Sequence, residues 1–446
     1  MPTAIFTIAR SGLTATRRSL ELTAQNVANA ENRDYSRRTL TQGELVMTGN
    51  IGNNAQDSLG GVRPGVIERA ESALVQRQAR DSSSAQAAAD AQFFALKEAE
   101  SALETSGVYT GLVDFEAALT RLQNNPTEPA LRLSALEAGR KMAGNFRIAN
   151  GTLANARSLV QAETSAKTLT VNELAGELAK VNADLVGSRE GTAGRAALLD
   201  ARDKALRGLA EEFGIGATIN PNGTADVVLE GTPPLALVTG GAAQTLATSF
   251  AADGTVTFTL GGTAFVPSGG AMAGRAGALA EMAGLQTSLD GIAVSAIALS
   301  NTAQGNGVGL DGNPGPAFFA GTGAADITVV LASADGLATA PAGAPAGSRD
   351  TANLGALIAA LGDASGPITG TDSLLLGLSS RVSALETRKD GLAVVAASAE
   401  AELLRETGVD LDTEAANLVR LQQAFEANSR VIQVAAQLFD TILDLR

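Results

Sequence analysis

Residues 408–446 read GVDLDTEAANLVRLQQAFEANSRVIQVAAQLFDTILDLR, with Leu411, Leu418, Phe425, Ile432 and Phe439 recurring at every seventh position. Leu421, Ala435 and Ile442 stand three positions further on in three of these repeats. A seven-residue apolar repeat keeps one narrow seam aligned over many turns, which is the pattern of a helix lying along a partner helix. Asp410 or Asp412 is placed to cap its start, and no Gly or Pro breaks the run that follows. At 1.5 Å per residue such a helix is roughly 50 Å long. A rod of that length with an apolar seam requires a partner.

The opening of the chain carries a matching signal. Phe6, Leu13, Leu20 and Val27 are again spaced by sevens, with Ala9 and Ala24 beside them. Residues 1–38 hold six Arg against Glu21, Glu31 and Asp34, a net of +3. Residues 408–446 hold six acids against three Arg, a net of −3. Two heptad helices of opposite charge are expected to pair with each other, with copies of themselves, or both. The same spacing also occurs in plain helical bundles, where each would be an ordinary surface helix.

Between these ends the composition excludes more than it assigns. The chain has 446 residues, enough for about three domains of ordinary size. Its apolar content is 45%, yet aromatics are only 3%, so the core is built largely from aliphatic side chains and Ala. A net charge of −14 argues against nucleic acid, whose phosphates need a basic surface. Without Cys there are no disulfides or thiolate metal sites, and without His there is no His-dependent triad. No apolar run approaches the roughly 18 residues of a membrane span, so no membrane insertion is expected. Arg10, Arg17 and Arg18 fall where the apolar core of a secretory signal would lie. This alone predicts a cytoplasmic protein, although a chain exported with its signal uncleaved looks the same.

Taken in order, residues 1–29 predict a helix and residues 30–40 a polar connector. The Gly- and Asn-rich residues 48–65 predict an extended loop. Helical patterns follow from about Val66 to Thr105, with a polar middle at Asp81-Ser-Ser-Ser, and from Gly111 to Leu122. Another helix starts near Thr127, with Pro129 in its first turn, and runs towards Leu185; a further one covers 195–213. Residues 214–268 hold three acids and short alternating runs such as ADVVL and TVTFTL between turn residues, a small antiparallel β insertion. Helix resumes over 275–303. Residues 320–348 predict one strand, ITVVLAS, and a Pro-, Ala- and Gly-rich loop, before a long helix over 373–407. The fold class is therefore mainly α with inserted β. Paired terminal helices (1–45 and 408–446) form a coiled-coil-like core. A rod-like helical middle (46–213, 269–310 and 370–407) adjoins a β-rich insertion at 214–268 and a short β and loop segment at 311–369.

No stretch makes a convincing active site. Gly305-Asn-Gly-Val-Gly309 has the glycine spacing of a dinucleotide loop but follows a helix. Asp311-Gly-Asn-Pro-Gly315 opens like a calcium loop, but position twelve is Thr322 rather than Glu. Thr164 and Lys167 share a helix face and read best as solvated surface. Asp200, Arg202 and Asp203 in LLDARDKALRGL read best as an exposed charged face. Asp226, Glu230 and Asp253 are the acids left for a hydrolase in the β region. Residue types alone point away from enzyme activity, cofactors and metals.

LTAQNVANAENRDYSR at 22–37 resembles the N-terminal signature of flagellar rod, hook and hook-associated proteins, with Asn26, Val27, Ala28, Asn29 and Tyr35 on the pattern. The family usually has Gly before the Tyr, where this chain has Asp34. VDLDTEAANLVRLQQAFEANSRVI at 409–432, with Gln422 and Gln423, is similar to the closing signature of the same proteins. Four interior stretches are more selective: NNPTEPALRLSAL at 124–136, ALLDARDKALRGLAEEFGI at 197–215, GRAGALAEMAGL at 274–285 and ALSNTAQGNGVGLDGNPGPAFF at 298–319. These resemble the FlgK family of hook–filament junction proteins. Where that family often carries a His near the end of the last stretch's helix, this chain has Gln304 and Gly305. Residues 320–370 are short beside the β-rich outer domain usual there.

The resemblance implies a structural, extracellular protein that leaves through the flagellar type III channel without a cleaved signal. Copies would form a junction ring between hook and filament, contacting the hook protein and templating a second junction protein and then flagellin. The paired terminal helices would line the core of the tube, with Phe6, Leu13, Leu20, Val27, Leu411, Leu418, Leu421, Phe425, Ile432, Phe439 and Ile442 as the assembly interface. An export chaperone would hold the C-terminal helix. Another axial component, a second junction protein or a hook or rod subunit, is the alternative within the class.

Overall fold

A computed structural model describes the backbone of residues 2–44 and 60–444. Helix α1 (Pro2–Ala28) leads through a tight turn to β1 (Arg38–Glu44), which pairs antiparallel with β2 (Val62–Arg69). The connector expected at 30–40 thus ends in a strand. Of the loop expected at 48–65, residues 48–59 lie outside the described residues and 62–65 belong to β2. The Pro64-Gly65 pair that reads as loop marks a bulge instead. The ladder shifts register between Leu40 and Gln42, and a Cβ on residue 65 would run into Thr41. Because Val66–Arg69 are extended, the next helix, α2 (Ala73–Ser106), starts seven residues later than expected.

Helices α3 (Val108–Asn124), α4 (Pro129–Gly187) and α5 (Ala193–Glu212) follow, close to their expected limits. The β-rich stretch supplies β3 (Ile215–Ile219), β4 (Ala225–Leu229), β5 (Gly231–Thr232), β6 (Leu235–Thr239) and β7 (Ala242–Ala243). It continues with β8 (Leu246–Phe250), β9 (Val256–Leu260) and β10 (Thr263–Pro267). Next come α6 (Gly270–Asn306), the two-residue strands β11 (Gly307–Val308), β12 (Phe319–Ala320) and β13 (Thr328–Val329), a 3₁₀ turn at Ala334–Gly336 and β14 (Ala340–Pro341). The chain closes with α7 (Ala352–Leu361), α8 (Pro367–Thr407) and α9 (Leu411–Asp444).

These elements form two units interleaved in sequence: residues 1–85, 170–245 and 392–446 make the first, and 86–169 and 246–391 the second. The stretch 214–268 therefore contributes strands to both. In the first unit β3, β4, β6 and β7 form an antiparallel sheet in that order, with Val227, Leu229, Leu237 and Val238 buried. Asn182 of α4 ties the start of β4 to the end of β6: its Nδ2 donates to the carbonyls of Ala225 (2.8 Å) and Gly240 (2.7 Å), and its Oδ1 accepts from Ala225 N (2.9 Å).

The second unit holds a continuous apolar core from α2, α3, α4, α6, α7 and α8. Phe115, Phe318 and Phe319 meet there with ring centroids 4.5–5.9 Å apart. By length and composition α6 is apolar enough to cross a membrane, which corrects the expectation that no such run exists. Its Leu279, Met282, Leu289 and Ala293 are nevertheless buried in this core. The strand expected at 327–333 shrinks to Thr328–Val329, because side chains hold the neighbouring backbone. Gln304 bonds Pro316 O, Gly336 O and Ala338 N, and Asn301 bonds both Phe318 N and Phe319 N. Arg132, fully buried, donates to the carbonyls of Pro126 (2.6 Å) and Leu337 (2.8 Å) and to Thr339 Oγ1 (3.0 Å). Burial lowers its pKa from the usual arginine value. Helix α7, inside the segment expected to be β and loop, forms because Leu354, Leu357 and Leu361 recur on one helical face and are buried.

Candidate assembly interface and the clamp at its base

Helices α1 and α9 pack along each other within the first unit. The buried residues of α1 are Ala9, Ala15, Thr16, Leu22, Thr23 and Asn26. Those of α9 are Glu414, Leu421 and Ala435, positions at multiples of seven. At Gly12 an added Cβ would lie 2.9 Å from Asn428 Oδ1, so small residues on α1 let the helices approach closely. Of the expected interface residues, Leu421 is buried and Leu13, Leu20, Leu418 and Ile432 are half-buried. Phe6, Val27, Leu411, Phe425 and Phe439 remain 36–52% exposed. The side chain of Ile442 lies outside the described residues. Apart from Leu22 and Leu421, the large apolar residues thus flank the contact within the chain.

At the base of this pair, residues 33–38 tie together elements distant in sequence. Arg33 pairs with Glu400 of α8 (2.9 Å), and Arg37 with the buried Glu414 of α9 (2.7 Å). Arg37 N also donates to Thr407 O, the end of α8 (2.8 Å). Asp34, where the family usually has Gly, accepts from Arg207 of α5 (2.8 Å) and pairs with Lys204 (3.4 Å). Tyr35 donates its hydroxyl to Asn26 Oδ1 (2.7 Å), while Asn26 Nδ2 donates to Arg38 O (2.9 Å). The signature residues Asn26 and Tyr35 therefore meet. Asn29 instead bonds Gln25 O in its own helix, and Gln422 and Gln423 are exposed on α9. Burial raises the Tyr35 pKa; the Arg38 guanidinium, 4.6 Å from its ring centroid, opposes the shift, and Asp200 and Glu414 add to it.

Asp200 and Asp203 are buried, which corrects the reading of LLDARD as an exposed face. Arg38 of β1 and Arg69 of β2 stand directly opposite each other in the ladder, an arrangement that like charges disfavour. Asp200 resolves it, accepting from Arg38 Nη2 (2.6 Å) through Oδ2 and from Arg69 Nε (2.7 Å) through Oδ1. Asp203 accepts from Arg69 (2.6 Å), Gln76 (3.0 Å) and Arg202 (2.9 Å). Burial works to lower the Arg69 pKa, but Asp203 and Asp200 outweigh it and the net shift is upward. Every oxygen of the two carboxylates is engaged by a guanidinium, an arrangement for holding strands rather than moving protons. Sequence reasoning missed this clamp, although the density of Arg at 33–38 and the acidic pair at 200–203 were its visible halves.

The remaining candidates are separate and structural. Asp226 accepts from Asn220 and from Gly240 N, which hold its carboxyl below the usual range; Asp253 accepts from Thr255 in a different unit. Thr164 is buried rather than solvated and donates to Val160 O (2.7 Å). Gly307 and Val308 of the glycine run form β11, and Asp311 accepts from its neighbour Asn313. Among the described residues no three Asp or Glu cluster as a metal site.

Paired terminal helices with exposed apolar flanks and an ionic clamp at their base characterise this region. Residues 96–319 match the family model described as the flagellar hook-associated protein FlgK helical domain, and residues 402–445 match the flagellar basal body rod FlgEFG protein C-terminal model. The first match takes in half of the chain, which belongs to the FlgK family of flagellar hook-associated proteins. Flagellar hook-associated protein 1 of Bacillus subtilis is 27% identical over 222 residues, covering 48% of this chain and 44% of that protein. Its namesake in Escherichia coli is 24% identical over 248 residues, covering 54% and 44%. The match thus spans less than half the length of either relative. The solved structure of the flagellar hook junction protein FlgK from Burkholderia pseudomallei is similar with a TM-score of 0.49 at 22% identity, covering 55% of this chain and 46% of that one.

Proposed function

We propose that this chain is a subunit of the ring joining hook to filament. Copies assemble at the distal end of the hook, contact the hook protein, and template a second junction protein and then flagellin. Residues 1–45 and 408–446 are the assembling part, and the chain carries no catalysis. It works outside the cell after export without a cleaved signal, with a chaperone holding the C-terminal helix until then. The observation that carries this reading is the α1–α9 pair, in which Leu421 and Ala435 are buried while Phe6, Val27, Leu411, Phe425 and Phe439 stay exposed. Apolar side chains regularly arrayed along a helix pair are stabilised by burial against further helices. The family of the helical domain favours the junction over the rod or hook, whose subunits share the C-terminal motif.

Electron microscopy of cells lacking the chain, with flagellin assayed in the medium, tests this reading. It predicts bare hooks and flagellin lost to the medium. Normal filaments in a cell with no second copy of the gene would defeat it, and loss of the hook itself would move the chain to the rod or hook.

A further inference from the structure

Within the first unit, α1, β1 and α9 surround a cavity of about 400 Å³. Arg37 and Arg38 at the start of β1 and Arg420 of α9 line it, and Glu414 is the one acid on its described wall. Three Arg less one Glu leave a lining of +2, in a chain whose net charge is −14. The three guanidinium groups are unevenly matched. Arg37 Nε pairs with Glu414 (2.7 Å), which neutralises that acid. Arg420 is exposed and donates to the neutral amide oxygen of Asn417 (3.2 Å), with no carboxylate paired to it among the described residues. Arg38 is 8% exposed; its Nη2 reaches Asp200 (2.6 Å), yet its Nε is buried with no hydrogen-bond partner among the described residues.

A buried guanidinium N–H without an acceptor is costly, and such a group calls for a partner. The cavity already holds further donors. Ser19 Oγ accepts from Gln42 Nε2 (3.3 Å), which leaves its own hydroxyl proton to donate. The chemistry lacking on this wall is a negatively charged acceptor, and guanidinium groups bind carboxylate and phosphate oxygens best. The described lining holds no aromatic ring to stack a nucleobase, which favours a small anion over a nucleotide. We propose that the cavity binds a small polyvalent oxyanion of the phosphate or citrate kind, held by Arg38 and Arg420 and bridging β1 to α9. Such a ligand braces the paired ends of the chain whatever they assemble into.

Calorimetric titration of the full-length protein with sodium phosphate, and separately with sodium citrate, tests the site at an ionic strength held constant with chloride. At least one probe should saturate at one per chain and raise the melting temperature, as any ligand of the folded state does. Arg420→Gln is expected to keep the melt of the anion-free parent and to weaken binding by about tenfold or more. Gln42→Glu, an exposed change that sets a carboxylate at the cavity, should weaken it as well. Arg430→Gln, exposed on α9 but outside the lining, should leave binding unchanged. Saturation by one probe alone would name the kind of oxyanion the site takes. No saturable binding of either probe, binding that Arg420→Gln leaves intact, or equal weakening by Arg430→Gln would overturn the site.

Discussion

Asp200 lies between two arginines that would otherwise repel across a strand pair, and both approach it within 2.7 Å. Removing one partner from a buried ionic cluster leaves charge without compensation, at a cost of about 3–5 kcal/mol. Asp200→Asn should therefore lower the denaturation midpoint markedly, and a loss below about 1 kcal/mol would contradict the bridging role. Tyr35 supplies a second measurement. Its folded pKa is raised above the usual 10.0 and its neutral hydroxyl donates to Asn26, so its contribution is complete below about pH 10 and is lost as pH rises through the higher folded value. With Tyr109→Phe leaving Tyr35 as the remaining tyrosine, the phenolate absorbance should appear above pH 10; a midpoint at or below 10 would contradict the buried setting. Neither residue's role was visible locally. The partners of Asp200 stand 162 and 131 positions away, and nothing within LLDARD distinguishes a solvated face from one covered by a distant strand pair.

Among the elements, the long helices were legible because period and punctuation agreed. Helix α4 starts at Pro129 after an Asn-Asn-Pro stop, and α9 begins behind Asp410, whose Oδ1 accepts from Thr413 N (2.8 Å). The short strands were not, since β1 and β2 depend on each other rather than on their own composition, and Pro64-Gly65 carries a loop signature into a bulge. The heptad lines named the right helices but not which line lies at the centre of the contact, because small residues decide how closely helices approach. Glycine shows the same dependence on surroundings. At Gly274 of α6 an added Cβ would meet the Ala88 carbonyl of α2, backbone that has little room to yield, whereas Gly144 of α4 has open space around it. Gly274→Ala should destabilise by about 1–3 kcal/mol, and Gly144→Ala should stabilise by about 0.5–1 kcal/mol. Thermal melts of the two variants moving in the same direction would contradict the packing described for the second unit.

Across the whole molecule, rigidity and the proposed adhesion occupy different residues. Buried ion pairs and polar side chains such as Arg38, Arg132, Asn182 and Gln304 fix loops and strands inside each unit. The large apolar residues of the first and last helices stand partly free. That division was half legible: the terminal repeats announced a surface for helix partners, and the family resemblance said which kind, while the ionic clamp at their base emerged only from the fold. On the proposed reading, the exposed flanks of α9 assemble the protein while its units fold without them. The most direct test replaces Phe425 with Asp in the full-length chain, compares its thermal melt with the parent, and images flagella on cells that make only this variant. Because Phe425 is 36% exposed, the melt should be nearly unchanged while filaments are lost. Normal filaments, or loss of filaments accompanied by a collapse of the melt, would contradict the claim.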